Sequence, residues 1–206
     1  MMTARRPESQ RSASLLQGVI LMGSSVQLEP MGLQHHDALA AIGCDPDLWR
    51  FTASIVRTPA DMLKYIESAL QARDEGSALP FVTVYRPTGE IVGSTRFRNY
   101  DPINRKLEIG FTWLAGKWQR TVVNTEAKYL MLTHAFEKLG CVRVELRTHV
   151  RNARSRAAIL RLGATEEGVL RKDTLMWTGE YRDTVYYSIL DEEWPQLEAR
   201  LRGMIR

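Results

Sequence analysis

Apolar and polar positions along the chain follow two different periods, and the switches between them mark out the elements. Val19-Ile20-Leu21 and Val26-Gln27-Leu28 are short apolar runs around Gly23-Ser24-Ser25, which reads as a first hairpin. His35 to Ile42 reads as a short helix ended by Gly43, and Asp45-Pro46 starts another turn. Thr58-Pro59-Ala60-Asp61 gives a hydroxyl cap, a proline in the first turn and an acid at the third position. The stripe Met62, Ile66, Ala69 and Leu70 follows, so the spacing predicts a helix to about Arg73.

Beyond that helix the period drops to two. Phe81–Tyr85 and Ile91–Phe97 flank Pro87-Thr88-Gly89, a strand–turn–strand unit. Lys106–Leu114 places Leu107, Ile109, Phe111 and Trp113 on one face and Glu108, Gly110 and Thr112 on the other. A loop then leads to a helix from about Thr125 to Leu139, with Asn124 as its N-cap and Gly140 as its stop. A strand over Val142–Thr148, a helix over Ala153–Leu162 closed by Gly163, and two strands around Thr178-Gly179-Glu180 complete the pattern. The Trp194-Pro195 tail adds a last helical turn. This order predicts an α/β domain (α+β, mixed sheet) with helices inserted early.

The 206 residues are 44% hydrophobic and 25% charged, which fits one compact domain and excludes disordered, collagen-like and disulfide-scaffold classes. No stretch approaches the ~18 uninterrupted apolar residues of a membrane span, so no membrane partner is expected. Arg5, Arg6 and Arg11 before Leu15–Met22 faintly mimic a signal peptide, but Gln17 and Gly18 interrupt the run and no clean cleavage site follows. Residues 1–14 therefore read as a flexible N-terminal arm and 15–206 as the folded domain. Cys44 and Cys141 lie in unrelated segments, which suits a reducing cytoplasm. The four histidines offer no ligand spacing, so no metal is expected.

The charge distribution is informative. From Arg143 to Lys172 eight cations face three acids, a local excess larger than the net +4 of the whole chain. Such a patch points to an anionic ligand at one site, or else to a solvated helix face. The chain lacks a recognition-helix signature and paired stacking aromatics, so nucleic acid is not an expected partner. The segment Trp118–Gly140 places a tight loop before a helix, which turns backbone N–H groups toward an anion. On the residues alone this is either a phosphate cradle or a simple capped helix.

That segment resembles the pyrophosphate-binding motif of the GNAT superfamily of acetyl-CoA-dependent N-acetyltransferases. The family pattern Gln/Arg-x-x-Gly-x-Gly/Ala reads here Gln119-Arg120-Thr121-Val122-Val123-Asn124, followed by Thr125-Glu126-Ala127; both glycine positions differ. A second family segment reads Asn152-x-x-Ser155, then Leu162-Gly163. Together with Glu108-Ile109-Gly110, the early VQLEP and the RDTVYYSIL ending, the chain resembles the RimJ/RimL-like branch over roughly residues 19–195.

The resemblance implies a single GNAT-like domain whose central, mostly antiparallel sheet is splayed and flanked by helices. It also implies acetyl-CoA as cosubstrate, wrapped at its pyrophosphate by the main chain of Gln119, Arg120, Thr121, Val122, Val123, Asn124 and Thr125. Val122 and Val123 fit if their φ is negative, and Asn124 tolerates a left-handed conformation. The backbone around Ile109, Phe111 and Trp113 would pair with the pantetheine arm as an added strand. Asn152 would hydrogen-bond that arm, Ser155 would sit near the thioester, and Arg154 and Arg156 would meet the adenosine 3′-phosphate or else face solvent.

Many members carry a proton-donating tyrosine seven residues after the asparagine, where this chain has Ile159, so Ser155 becomes the candidate donor to the thiolate. Glu108 is the candidate base, with Glu145, His149 and Tyr187 behind it; the other reading pairs Glu108 with Arg147 or Arg143. The branch favours an α-amino acceptor, a protein N-terminus or a small amino compound. An α-amine is roughly 10% neutral at pH 7 whereas a lysine is below about 0.1%, so a weak base suffices. The segments 44–58 and 98–106, with Trp49, Arg50, Phe51, Arg98, Tyr100 and Arg105, are the expected acceptor loops. Members of the branch often form homodimers. The lost glycines and tyrosine keep a second function open, a non-catalytic acyl-CoA-binding or sensing module.

Overall fold

The computed structural model describes residues 18–205. The proposed arm at 1–14 and the domain start at 15 lie outside the described residues.

One eight-stranded sheet runs β1 (Leu21–Met22), β2 (Val26–Pro30), β3 (Ala78–Tyr85), β4 (Glu90–Asp101), β5 (Lys106–Leu114), β6 (Arg143–His149), β8 (Tyr181–Leu190) and β7 (Thr165–Leu175), in that spatial order. Every neighbouring pair is antiparallel except β5 and β6. Helices α1 (His36–Gly43) and α2 (Pro59–Asp74) are inserted between β2 and β3. Helix α3 (Val122–Thr133) separates β5 from β6, α4 (Ala153–Leu162) follows β6, and α5 (Trp194–Ile205) ends the chain. The expected mixed, mostly antiparallel sheet is therefore present.

Alternation along the strands gives the sheet two apolar faces, each covered by helices. Phe81, Phe97, Leu107, Ile109 and Tyr187 join Met131 of α3 and Trp194 of α5 in one core. Val82, Val84 and Trp113 join Leu39 of α1, Met62 and Ile66 of α2, and Trp49 in the other. The reading of α2 holds in detail: the Thr58 hydroxyl accepts the Asp61 amide, and the Asp61 carboxylate returns to the Thr58 amide at 3.0 Å. At its far end the tail exceeds the single turn expected, because Trp194, Leu197 and Leu201 all find apolar neighbours and carry a full helix.

Two expectations change. The β5 alternation breaks at Phe111, where the register against β4 shifts and φ reaches +50°. One extra residue reverses the faces, so Trp113 packs in the α2-side core while Leu107 and Ile109 pack in the other. The helix after the cradle begins at Val122 rather than Thr125, capped by Thr121, and continues through a π turn over His134–Lys138.

Two buried charged groups on α3 fix that helix against the sheet. Glu126 accepts the Ser24 amide at 2.6 Å, the Ser24 hydroxyl at 2.8 Å and the Ser25 amide at 3.1 Å, so it closes the first hairpin. A Cβ at Gly23 would meet the Glu126 carboxylate and have to displace it from these bonds. Lys128 is buried, and its amine bonds the hydroxyls of Thr95 and Thr112 with no carboxylate among its described partners.

Burial pulls the Lys128 ammonium down to about 7, against about 10.4 in an unfolded chain. Between those values the unfolded chain holds the proton and the folded one does not. The cost of burying this cation is thus complete below about pH 7 and is relieved as pH rises toward 10. Lys128→Met keeps the volume, and Thr95 and Thr112 already bond each other at 2.8 Å. The variant is expected to lose a rise in stability on the order of 1 kcal/mol per pH unit between about pH 7 and 9. Urea unfolding at each pH reads this directly; wild-type and variant curves that run parallel would show that Lys128 titrates normally.

Candidate active site

The two parallel strands pair only over Lys106–Glu108 against Arg143–Glu145. Beyond Glu108 and Glu145 they part, while β5 runs on to Leu114 and β6 to His149. Backbone groups of the two strands are left facing each other across an open seam, and unpaired peptide groups there can accept an extended ligand. Ile109, Phe111 and Trp113 lie along the β5 side.

Two helix N-termini stand at the open end of the seam. Helix α3 follows β5 through Gln119 and Arg120, and α4 follows β6 through Val150–Asn152. First-turn amides of a helix have no partner within it, and the helix dipole makes that end positive. Thr121 takes over the cap expected of Asn124: its hydroxyl accepts the Val123 amide at 3.3 Å and donates to the Trp118 carbonyl at 2.7 Å. The left-handed residue is Arg120, with φ +63°, whereas Asn124 is helical. Val122 and Val123 sit in the first helical turn, so the β-branched pair fits where φ is negative.

The side chains at this end join the two helices. Gln119 Nε2 donates to the Leu114 carbonyl at 3.0 Å, and its Oε1 accepts from Arg154 Nη1 at 3.1 Å. Thr125 Oγ1 accepts from Arg161 at 3.2 Å. Asn152 caps α4 by accepting the Ser155 amide at 3.1 Å. The Ser155 hydroxyl has no protein partner among the described residues. Gln119 with Arg154 and Thr125 with Arg161 thus tie the start of α3 to α4, the helix that Asn152 caps and that carries Ser155. Arg156 is not part of this tie: it bonds the Tyr187 hydroxyl at 3.1 Å and Glu166 at 3.3 Å, which ties α4 to the β7–β8 hairpin.

Glu108 sits where the strands part and is 3% exposed. Its Oε1 accepts from Arg147 Nε at 3.0 Å and its Oε2 from Asn99 at 2.9 Å, with Arg98 Nε 3.7 Å away. Arg147 continues to the Tyr186 hydroxyl at 2.8 Å, which reaches Asp173 at 3.3 Å. Burial lowers the Arg98 guanidinium below its usual value, and Glu108 opposes that shift. Both carboxylate oxygens are taken up by these contacts, so the structure shows the pairing reading of Glu108, with Arg147 rather than Arg143. The lesser base candidates are occupied too. Glu145 pairs with Arg143 at 2.8 Å. Tyr187 is held by Arg156 and Glu166. His149 Nδ1 accepts the Arg151 amide at 3.1 Å, and burial lowers its pKa.

Of the expected acceptor loops, Trp49 is a core residue whose Nε1 bonds the Gly43 carbonyl, and Phe51 lies edge-on to His149 with centroids 5.4 Å apart. Missed from the sequence were Asn99, Tyr186 and Asp173, which meet Glu108 or Arg147 only through the tertiary fold. The left-handed Asn99, φ +51°, was the one local signal, since asparagine is enriched in that conformation.

Comparison with known proteins shows the family and the fold. The chain matches the acetyltransferase (GNAT) domain over residues 25–165. YdaF of Bacillus subtilis (strain 168), named as a ribosomal N-acetyltransferase, is 41% identical over 106 residues, 52% of this chain. That match spans 57% of YdaF. A GCN5-related N-acetyltransferase from Brucella melitensis superposes with a TM-score of 0.86 at 28% identity, over 92% of this chain and 86% of that one. RimJ of Mycobacterium smegmatis, solved in complex with CoA-disulfide, gives 0.74 at 25% identity over 90% and 91%.

The ion-pair network is open to a direct test. Glu108→Gln takes the counter-charge from Arg98 and leaves Arg147 only Asp173 at 3.9 Å, and chemical denaturation is expected to show a loss of about 3 kcal/mol. A loss below about 1 kcal/mol would mean that solvent already screens the pair.

Proposed function

Since the chain belongs to the acetyltransferase (GNAT) family, we propose that it is an N-acetyltransferase whose donor is acetyl-CoA and whose acceptor is an α-amino group, foremost that of a protein N-terminus. The observation that carries the reading is the open seam with both helix N-termini and Arg154 at its mouth. An extended arm fits the seam as an added strand, and an anion fits the free amides beyond it. The ribosomal N-acetyltransferase name borne by YdaF supports a protein acceptor. A small amino compound is the other source of the same amine.

Acetyl-CoA, when bound, supplies a thioester carbonyl at which the new C–N bond forms as the C–S bond breaks. The residues of the chain bind and orient. Main-chain amides of Gln119–Thr125 hold the pyrophosphate, and Arg154 adds charge beside them. Asn152, already fixed as the α4 cap, keeps its amide nitrogen free to bond the arm. The unpartnered Ser155 hydroxyl donates toward the departing sulfur, which the helix end also favours. Glu108 acts as a positioning residue that holds Arg98 and Arg147 along the cleft wall. The acceptor amine needs no strong base, because about a tenth of it is neutral at pH 7, and water carries its proton away. Transfer is direct: Cys141 is buried at a helix–strand junction, and its thiol is pushed up to about 11.

Mass spectrometry of peptides incubated with the protein and acetyl-CoA tests this. One acetyl group is expected on peptides with a free N-terminus, none on matched peptides with a blocked N-terminus and a free lysine, and no acetylated enzyme during turnover. Modification of lysine alone would overturn the acceptor assignment. Tight binding of acetyl-CoA with no transfer to any amine would favour the sensing module.

A further inference from the structure

Beside the seam, between α2 and strands β3–β5, lies a cavity of about 460 Å³. Its inner wall is made by Arg96 and Arg98, which alternate onto the same face of β4 and pair across to Gly110 and Glu108 of β5. The bulge at Phe111 turns that ring back over both guanidiniums, with ring centroids 4.3 Å from Arg96 and 5.1 Å from Arg98. Tyr65 of α2 covers Arg96 from the other side at 4.6 Å.

Arg96 is 4% exposed, yet among the described residues it has no ion pair, and its buried Nε has no hydrogen-bond partner. Two aromatic faces stabilise a cation, but they accept none of the five N–H bonds a guanidinium offers. A buried cation without an acceptor is costly, and such a group in a native site calls for a partner, an incoming anion being one that fits a cavity wall. No acid in the cavity wall serves. Asp61 is turned to its own helix cap through the Arg57 and Thr58 amides, and Glu108 is shared by Arg98, Arg147 and Asn99.

We propose that this cavity receives a carboxylate of the amine acceptor, held by Arg96 in the planar, two-pronged geometry a guanidinium favours. This rests on the transfer reading above and adds to it the chemistry of the substrate. Arg96 is the guanidinium of the wall with no carboxylate beside it, since Arg98 lies 3.7 Å from Glu108 and the rim residues Asp61 and Lys64 carry opposite charges. That balance suits a carboxylate better than a phosphate dianion. The carboxylate comes from an acidic side chain near a peptide N-terminus or from the α-carboxylate of a free amino acid.

Calorimetric titration into the protein saturated with CoA separates these sources and does not depend on turnover. One arm compares amidated peptides with aspartate or asparagine as second residue; the other compares free alanine with alaninamide. The acidic member of at least one pair is expected to bind about tenfold tighter or more, and Arg96→Met to bring that ratio close to one. Arg96→Lys is expected to recover part of it, which also covers failure of the methionine variant to fold. Equal binding of acid and amide in both arms by the wild type overturns the carboxylate site. Preference for the acid without acetylation of any peptide leaves the site standing and sinks the transfer reading; acetylation without preference does the reverse.

Discussion

The architecture depends on a parallel pair of strands that is begun and not completed. Three residues of β5 pair with three of β6, and the last pair carries Glu108, whose carboxylate reaches across to Arg147 of β6. The ion pair keeps the strands joined at the point where they diverge, and the Phe111 bulge bends β5 away from that point. Everything proposed for the chemistry follows from the resulting opening. The seam leaves peptide groups to be paired, and each strand leads to a helix whose positive end returns to the same mouth.

Buried cations are handled in two ways around this seam. Lys128 lies among hydroxyls behind β5 and avoids the cost of burial by giving up its proton near neutrality. An arginine has no such escape, since it stays charged at any ordinary pH. Arg98 and Arg147 therefore share Glu108, while Arg96 rests between two aromatic rings with hydrogen-bonding capacity to spare. The first two cations support the frame; the third is positioned for something from outside it.

Much of this was legible in the sequence where local rules decide. Thr58-Pro59-Ala60-Asp61 fixed the start of α2, and Gly163 with φ +98° closed α4. Local rules failed where tertiary geometry overrides them. The period-two pattern of Lys106–Leu114 looked unbroken because a bulge shifts the faces without changing the residues. Asn124 looked like the cap because asparagine favours that position, yet Thr121 holds it once Arg120 takes the left-handed turn. Arg96 carried no signal at all, since its lack of a partner is defined by what three other elements fail to supply.

Hydrogen exchange of the backbone, with and without saturating acetyl-CoA, tests the central feature most directly. If the seam is the binding groove, protection rises across residues 109–114 of β5 and 122–125 of α3, while β1 to β3 exchange as before. Saturated binding with no change along β5, or with protection confined to another face, would contradict the seam as the place where the cosubstrate lies.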